Sequence, residues 1–148
     1  LFTDCTVTCG NSEFPCHRAI LANVSAVWRT ALLSKFREGC EAKLCIDDAE
    51  PGVVEAILQY TYTGNFDVAD AATALGIAHR YQISDLVAIC AEQMIGDVSV
   101  DNAAKFASTM STYLEHDAVA KVWPAFLDCL RGDPKLFEVV VKQSGRPL

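Results

Sequence analysis

The chain has 148 residues, 51% of them hydrophobic, which suffices for one well-filled core and a small helical appendage. Its charge of −7 is concentrated early: residues 1–96 hold 12 acids against 6 bases, and residues 97–148 hold 7 against 6. Such an acidic surface repels phosphate backbones and argues against nucleic-acid binding, and no uncharged apolar run approaches the 18 residues of a membrane span.

Cys5-Thr6-Val7-Thr8-Cys9 alternates with period two and predicts a half-buried strand. Gly10-Asn11-Ser12 supplies turn residues, and Glu13-Phe14-Pro15-Cys16 predicts the returning strand, with Pro15 suited to an edge. Helical spacing follows, with Ile20, Leu21, Val24, Val27 and Trp28 on one side and Ser25 as cap of a second helix. Residues 42–46 predict a third strand through Leu44 and Ile46, then an acidic turn at Asp47-Asp48-Ala49-Glu50. Pro51 opens a helix at a position where its missing N–H costs nothing, and Gly64 ends it. Further helices are predicted over 68–81 and 84–95, the latter stopping at Gly96.

Beyond Gly96 the pattern is helical throughout. Ser99 or Asp101 caps a helix reaching Leu114, and a second runs over about 117–130, where Pro124 predicts a kink or an interruption. Gly132-Asp133-Pro134 marks a stop and restart before a last helix over 134–142. The fold class is therefore α+β: three strands and about eight helices, a mixed block over 1–96 followed by an all-α extension over 97–148.

Chemistry is sparse. The seven cysteines contain no C-x-x-C pair and read as reduced, buried thiols of a cytoplasmic or nuclear protein. No G-x-S-x-G, P-loop or H-E-x-x-H occurs. Cys16 and His17 are adjacent, so on an extended strand they face opposite ways and make no nucleophile–base pair. His17 is expected to bond locally at a helix entry, and Asp47-Asp48 to be a solvated turn without calcium-loop spacing. A non-enzymatic chain without metal or cofactor is expected. It starts at Leu1, without Met or a signal-like stretch, and reads as a piece of a longer protein.

The run Cys16-His17-Arg18-Ala19-Ile20-Leu21-Ala22-Asn23-Val24-Ser25-Ala26-Val27-Trp28 resembles the first helical hairpin of BTB/POZ domains, and Tyr62-Thr63-Gly64 resembles the Y-T-G closing the family's third helix. Residues 97–148 resemble the start of the BACK region that often follows. Phe2-Thr3-Asp4-Cys5 and Ser99-Val100-Asp101-Asn102-Ala103-Ala104 look most like the speckle-type POZ family. The resemblance implies an adaptor that docks on cullin-3 of a ubiquitin ligase while substrate is read elsewhere in the full-length protein. The docking signature maps onto Phe36-Arg37-Glu38, with the helical tail over 97–148 as a second contact surface for the same cullin and Tyr62 and Phe66 as secondary contacts. It also implies a homodimer through Ile20, Trp28, Leu32 and Leu33, weakened because little precedes the first strand. Two other roles share the fold: the dimerisation and corepressor-recruiting domain of a transcriptional regulator, and a potassium-channel assembly domain. The latter often carries an interfacial zinc set with adjacent cysteines, and no Cys-Cys dipeptide occurs here.

Overall fold

A computed structural model describes residues 2–33, 42–67 and 70–144. Two compact units divide the chain, Leu1–Ile83 and Ser84–Leu148.

The first unit opens with β1 (Cys5–Cys9) and β2 (Ser12–Cys16), an antiparallel hairpin closed by Gly10-Asn11. Gly10 has φ +58° and Asn11 does not share the positive value, the pattern of a type II′ turn. Next come α1 (Arg18–Val24) and α2 (Ala26–Leu33), then β3 (Lys43–Cys45), which joins β1 in parallel to give the order β2-β1-β3. Cys5, Val7 and Cys9 all face the core, as the alternation predicted. Then α3 (Pro51–Thr63) starts on Pro51 and stops where Gly64 adopts φ +77° and its N–H bonds the Tyr60 carbonyl at 2.8 Å. Finally α4 (Ala71–Arg80) starts at its cap Asp70, which accepts from the Thr73 N–H and hydroxyl at 3.2 and 2.7 Å. The predicted start at 68 falls outside the described residues.

Ser25 caps α2 as expected. Its Oγ accepts from the Trp28 N–H at 3.0 Å and donates to the Tyr81 carbonyl at 2.6 Å, so a fully buried hydroxyl joins α2 to the turn after α4. Trp28 and Leu32 then point inward with no exposed surface, and the Trp28 ring lies 5.3 Å from Tyr81. In the single chain, both fill the domain's own core.

In the second unit α5 (Ser84–Asp97) runs through Gly96 instead of stopping there. Gly96 has no left-handed φ, so nothing breaks the helix at that point. The next helix, α6 (Ala103–Thr112), has Asn102 at its N-cap position and ends two residues before Leu114. Ser99 contributes backbone only: its carbonyl accepts from Asn102 and Ala103, and its N–H donates to Asn102 Oδ1. Helix α7 (Asp117–Gly132) is continuous across Pro124, so the predicted interruption is absent. Pro124 lies on the exposed side, where water can meet the carbonyl one turn earlier. Asp133 Oδ1 accepts from the Lys135 N–H at the start of α8 (Pro134–Ser144). Met110, Val119, Phe126 and Leu130 are buried, and α6 and α7 both pack on α8.

The six described cysteines are unbridged. Cys5, Cys9, Cys16 and Cys90 are buried, whereas Cys45 is exposed, contrary to the uniform burial expected. Burial pushes the Cys90 thiol up to about 12, and burial followed by the neighbouring Cys16 raises Cys5 to about 11. An unfolded thiol titrates near 8.5. The stabilisation from these protonated thiols is therefore complete below about pH 8.5 and is lost as pH climbs through 11 and 12. Thermal melts from pH 8 upward should show the stability advantage of wild type over Cys90→Ala shrinking above about pH 9; a pH-independent difference would contradict this.

Candidate docking surface

Arg18 organises the hairpin from which the expected docking segment leaves. Its N–H bonds Asp4 Oδ1 at 2.7 Å, Nε bonds the Asp4 carbonyl at 3.2 Å, and a guanidinium N–H reaches the Leu32 carbonyl at 2.9 Å. One side chain thus ties the entrance of β1 to the C-terminal end of α2, satisfying a helix-end carbonyl with a cation. Sequence reasoning missed this clamp. The available signal was an arginine at the first position of a helix that lacks acidic residues there.

Phe36, Arg37 and Glu38 lie outside the described residues, as does the whole segment 34–41. What the structure places is its point of departure. Helix α2 ends at Leu33, whose side chain is 60% exposed. Ile20 on α1 is half-buried. The four residues expected at a dimer surface therefore split into two core residues and two with accessible surface.

Tyr62 is 43% exposed at the end of α3, and Phe66 just beyond is half-buried. The Tyr62 hydroxyl accepts from the His17 N–H at 3.0 Å and lies 2.8 Å from His17 Nδ1, with the rings edge to face at 5.7 Å. Cys16 bonds the same hydroxyl. Cys16 and His17 thus converge on one oxygen, with His17, still extended in backbone, at the N-cap position of α1. His17 reaches across 45 residues, not locally as expected. Burial raises the Tyr62 hydroxyl, with Cys16 second, and burial also raises Cys16 against the opposing effect of the Tyr62 bond. Both groups are accordingly neutral near pH 7, and the cluster serves to fix the α3 terminus against β2.

The acidic turn is structural and more than solvated. Asp47 Oδ1 accepts from the Gly10 N–H at 2.9 Å, and its Oδ2 bonds the Cys45 thiol at 2.7 Å. These bonds, the thiol's first, hold the Asp47 carboxyl below its usual range, while Asp48 is lowered chiefly by its ion pair with Arg80. Among the described residues no cluster of three or more His, Cys, Asp or Glu could hold a metal ion, and no helix is long and apolar enough to cross a membrane.

Comparison with known proteins agrees with this architecture. The family model for the BTB/POZ domain matches residues 1–97. Kelch-like protein 41 of Rattus norvegicus is 31% identical over 91 residues, 60% of this chain and 15% of that protein. Kelch-like protein 41b of Danio rerio is 32% identical over 107 residues, 68% of this chain and 17% of that protein. The chain thus spans only about a sixth of the length of these relatives. Among solved structures, the BTB domain of human Gigaxonin superposes with a TM-score of 0.53 at 25% identity, covering 62% of this chain and 76% of that one. The BTB domain of zebrafish PATZ1 gives 0.54 at 24% identity, covering 63% and 75%, a likeness of fold alone. With the family model matching residues 1–97, this chain belongs to the BTB/POZ domain family.

Proposed function

We propose that the chain is a protein-docking module of a substrate adaptor for a cullin-3-based ubiquitin ligase, gripping the cullin through Phe36-Arg37-Glu38 and the helical tail. The observation that carries this reading is positional. Phe36 follows the end of α2 by three residues, within the stretch matched to the BTB/POZ family, and the Arg18 clamp fixes where that segment starts. The sequence relatives are Kelch-like proteins, and the Gigaxonin domain shares the fold. Burial of the Phe36 ring in an apolar pocket of the partner contributes about 1.5–3 kcal/mol. Glu38 at the N-terminus of a partner helix adds roughly 0.3–1 kcal/mol. Tyr62 and Phe66 act as secondary contacts, and both retain accessible surface.

Residues 97–148 serve as the opening of a BACK region of the kind found in the speckle-type POZ family. Support comes from the all-helical second unit, although the compact division falls before α5, at Ser84. A homodimer forms through Ile20 and Leu33, the two of the four expected dimer residues with accessible surface. Capture of the purified N-terminal domain of cullin-3 on immobilised chain, with light scattering to count subunits, tests both points. A saturable complex containing two chains is expected, and no capture at tens of micromolar would contradict the adaptor reading.

A further inference from the structure

The outer edge of β2 borders a second surface, which shares Tyr62 with the proposed cullin contacts. Thr6 donates its N–H to the Ala42 carbonyl and Thr8 accepts from the Ile46 N–H, both at 2.8 Å, so the backbones of Thr6 and Thr8 face β3. Their register partners on β2 are Pro15 and Glu13. In an antiparallel pair these positions turn their own backbone groups away from β1, toward the edge. No described strand lies beyond β2. The edge therefore offers the Glu13 N–H and carbonyl and the Pro15 carbonyl. At Pro15 the donor is missing, which blocks open-ended strand addition and leaves room for a short one.

Beside this edge the sheet's core face meets α3 in an open cleft of about 240 Å³. Phe14 and Pro15 form one wall; Leu58, Gln59 and Tyr62 form the other, with Glu55 at the rim. That volume is below the roughly 300–1,000 Å³ of small-molecule sites and suits a single side chain. A strand laid against Glu13 and Pro15 would aim its alternate side chains into this cleft, since Phe14 points to the same face. Cys16 and Tyr62 are raised and neutral, so Glu55 is the one charged side chain among the described residues of the lining.

We propose that this cleft and the β2 edge together bind a short extended segment of a partner protein, in which an apolar side chain that fills the cleft is followed by a Lys or Arg that meets Glu55. The backbone of Glu13 supplies the paired hydrogen bonds, and the cleft and Glu55 supply selectivity, the division of labour seen in strand-addition recognition.

Selection of phage-displayed random decapeptides on the intact chain, followed by titration of the enriched synthetic peptides, tests this. Enriched peptides should share an apolar–basic pattern and shift the amide resonances of Glu13 and Phe14 in isotope-labelled protein. Glu55→Lys should weaken them roughly tenfold or more, whereas Glu138→Lys, the same charge change on α8, should leave binding within about twofold. Capture of cullin-3 by Glu55→Lys should be unchanged, which separates this site from the docking segment. Failure to enrich any peptide, equal weakening by both variants, or unmoved Glu13 resonances would overturn the proposal. So would conversion of a dimer to a monomer by Glu55→Lys, which would give the face to a second copy of the chain.

Discussion

Phe36→Ala combined with Glu38→Lys should weaken binding to the cullin-3 N-terminal domain by about 100-fold while leaving the melting temperature nearly unchanged. The ring contributes about 1.5–3 kcal/mol through burial and the carboxylate roughly 0.3–1 kcal/mol. Reversing the charge adds repulsion, and every 1.4 kcal/mol is tenfold in affinity. Central aromatic anchors commonly dominate such interfaces. The stability half of the expectation follows from position, because the variants fall after Leu33, beyond the buried Trp28 and Leu32 that hold α2 to the core. Affinity by calorimetry and melting by circular dichroism, measured on the same preparations, read the two halves separately. A matching fall in melting temperature would show that Phe36 belongs to the domain's own core.

Trp28→Ala should show the opposite behaviour, a large loss of stability from a residue with no exposed surface. Truncating a buried Trp costs about 3–5 kcal/mol, the lost transfer energy plus a cavity that neighbours fill poorly. Here the cavity would open against the ring of Tyr81, whose backbone carbonyl accepts from the Ser25 hydroxyl. At this chain length the melting temperature should drop on the order of 10 °C. Trp28→Phe provides the informative contrast. The Trp28 Nε1 is buried with no hydrogen-bond partner among the described residues. A buried unpaired donor carries a penalty of about 1–3 kcal/mol. Phe removes that donor while keeping most of the ring, so it should cost less than half as much as Ala. Equal costs for Phe and Ala would mean that the indole N–H is satisfied after all.

Much of the architecture was legible because local chemistry and burial agreed. Alternation in Cys5–Cys9 gave β1, Pro51 and Gly64 bounded α3, and Ser25 capped α2. The errors arose where a local signal met tertiary context. Gly96 has the composition of a helix stop, but a helix with Leu86, Cys90 and Met94 buried along one side continues through a single glycine at a cost of only about 1 kcal/mol. Pro124 lies on the exposed side of α7, which its buried residues Val119, Phe126 and Leu130 keep helical. Long-range polar links left no local trace at all. Nothing near His17 announces a bond to Tyr62, and nothing near Asp47 announces a bond to Gly10. A helical stripe does not say whether it faces its own core or a second copy, and Trp28 and Leu32 fill the core of the single chain.

The docking segment itself was singled out from three residues and their position, so contact at position 36 is the decisive quantity. Replacing Phe36 with a photo-crosslinking phenylalanine and irradiating with the purified cullin-3 N-terminal domain measures that contact directly. Efficient crosslinking from position 36, and none from the same group placed at the exposed Phe2, is the predicted result. A complex that crosslinks from Phe2 but not from position 36, or no complex at all, would contradict the account.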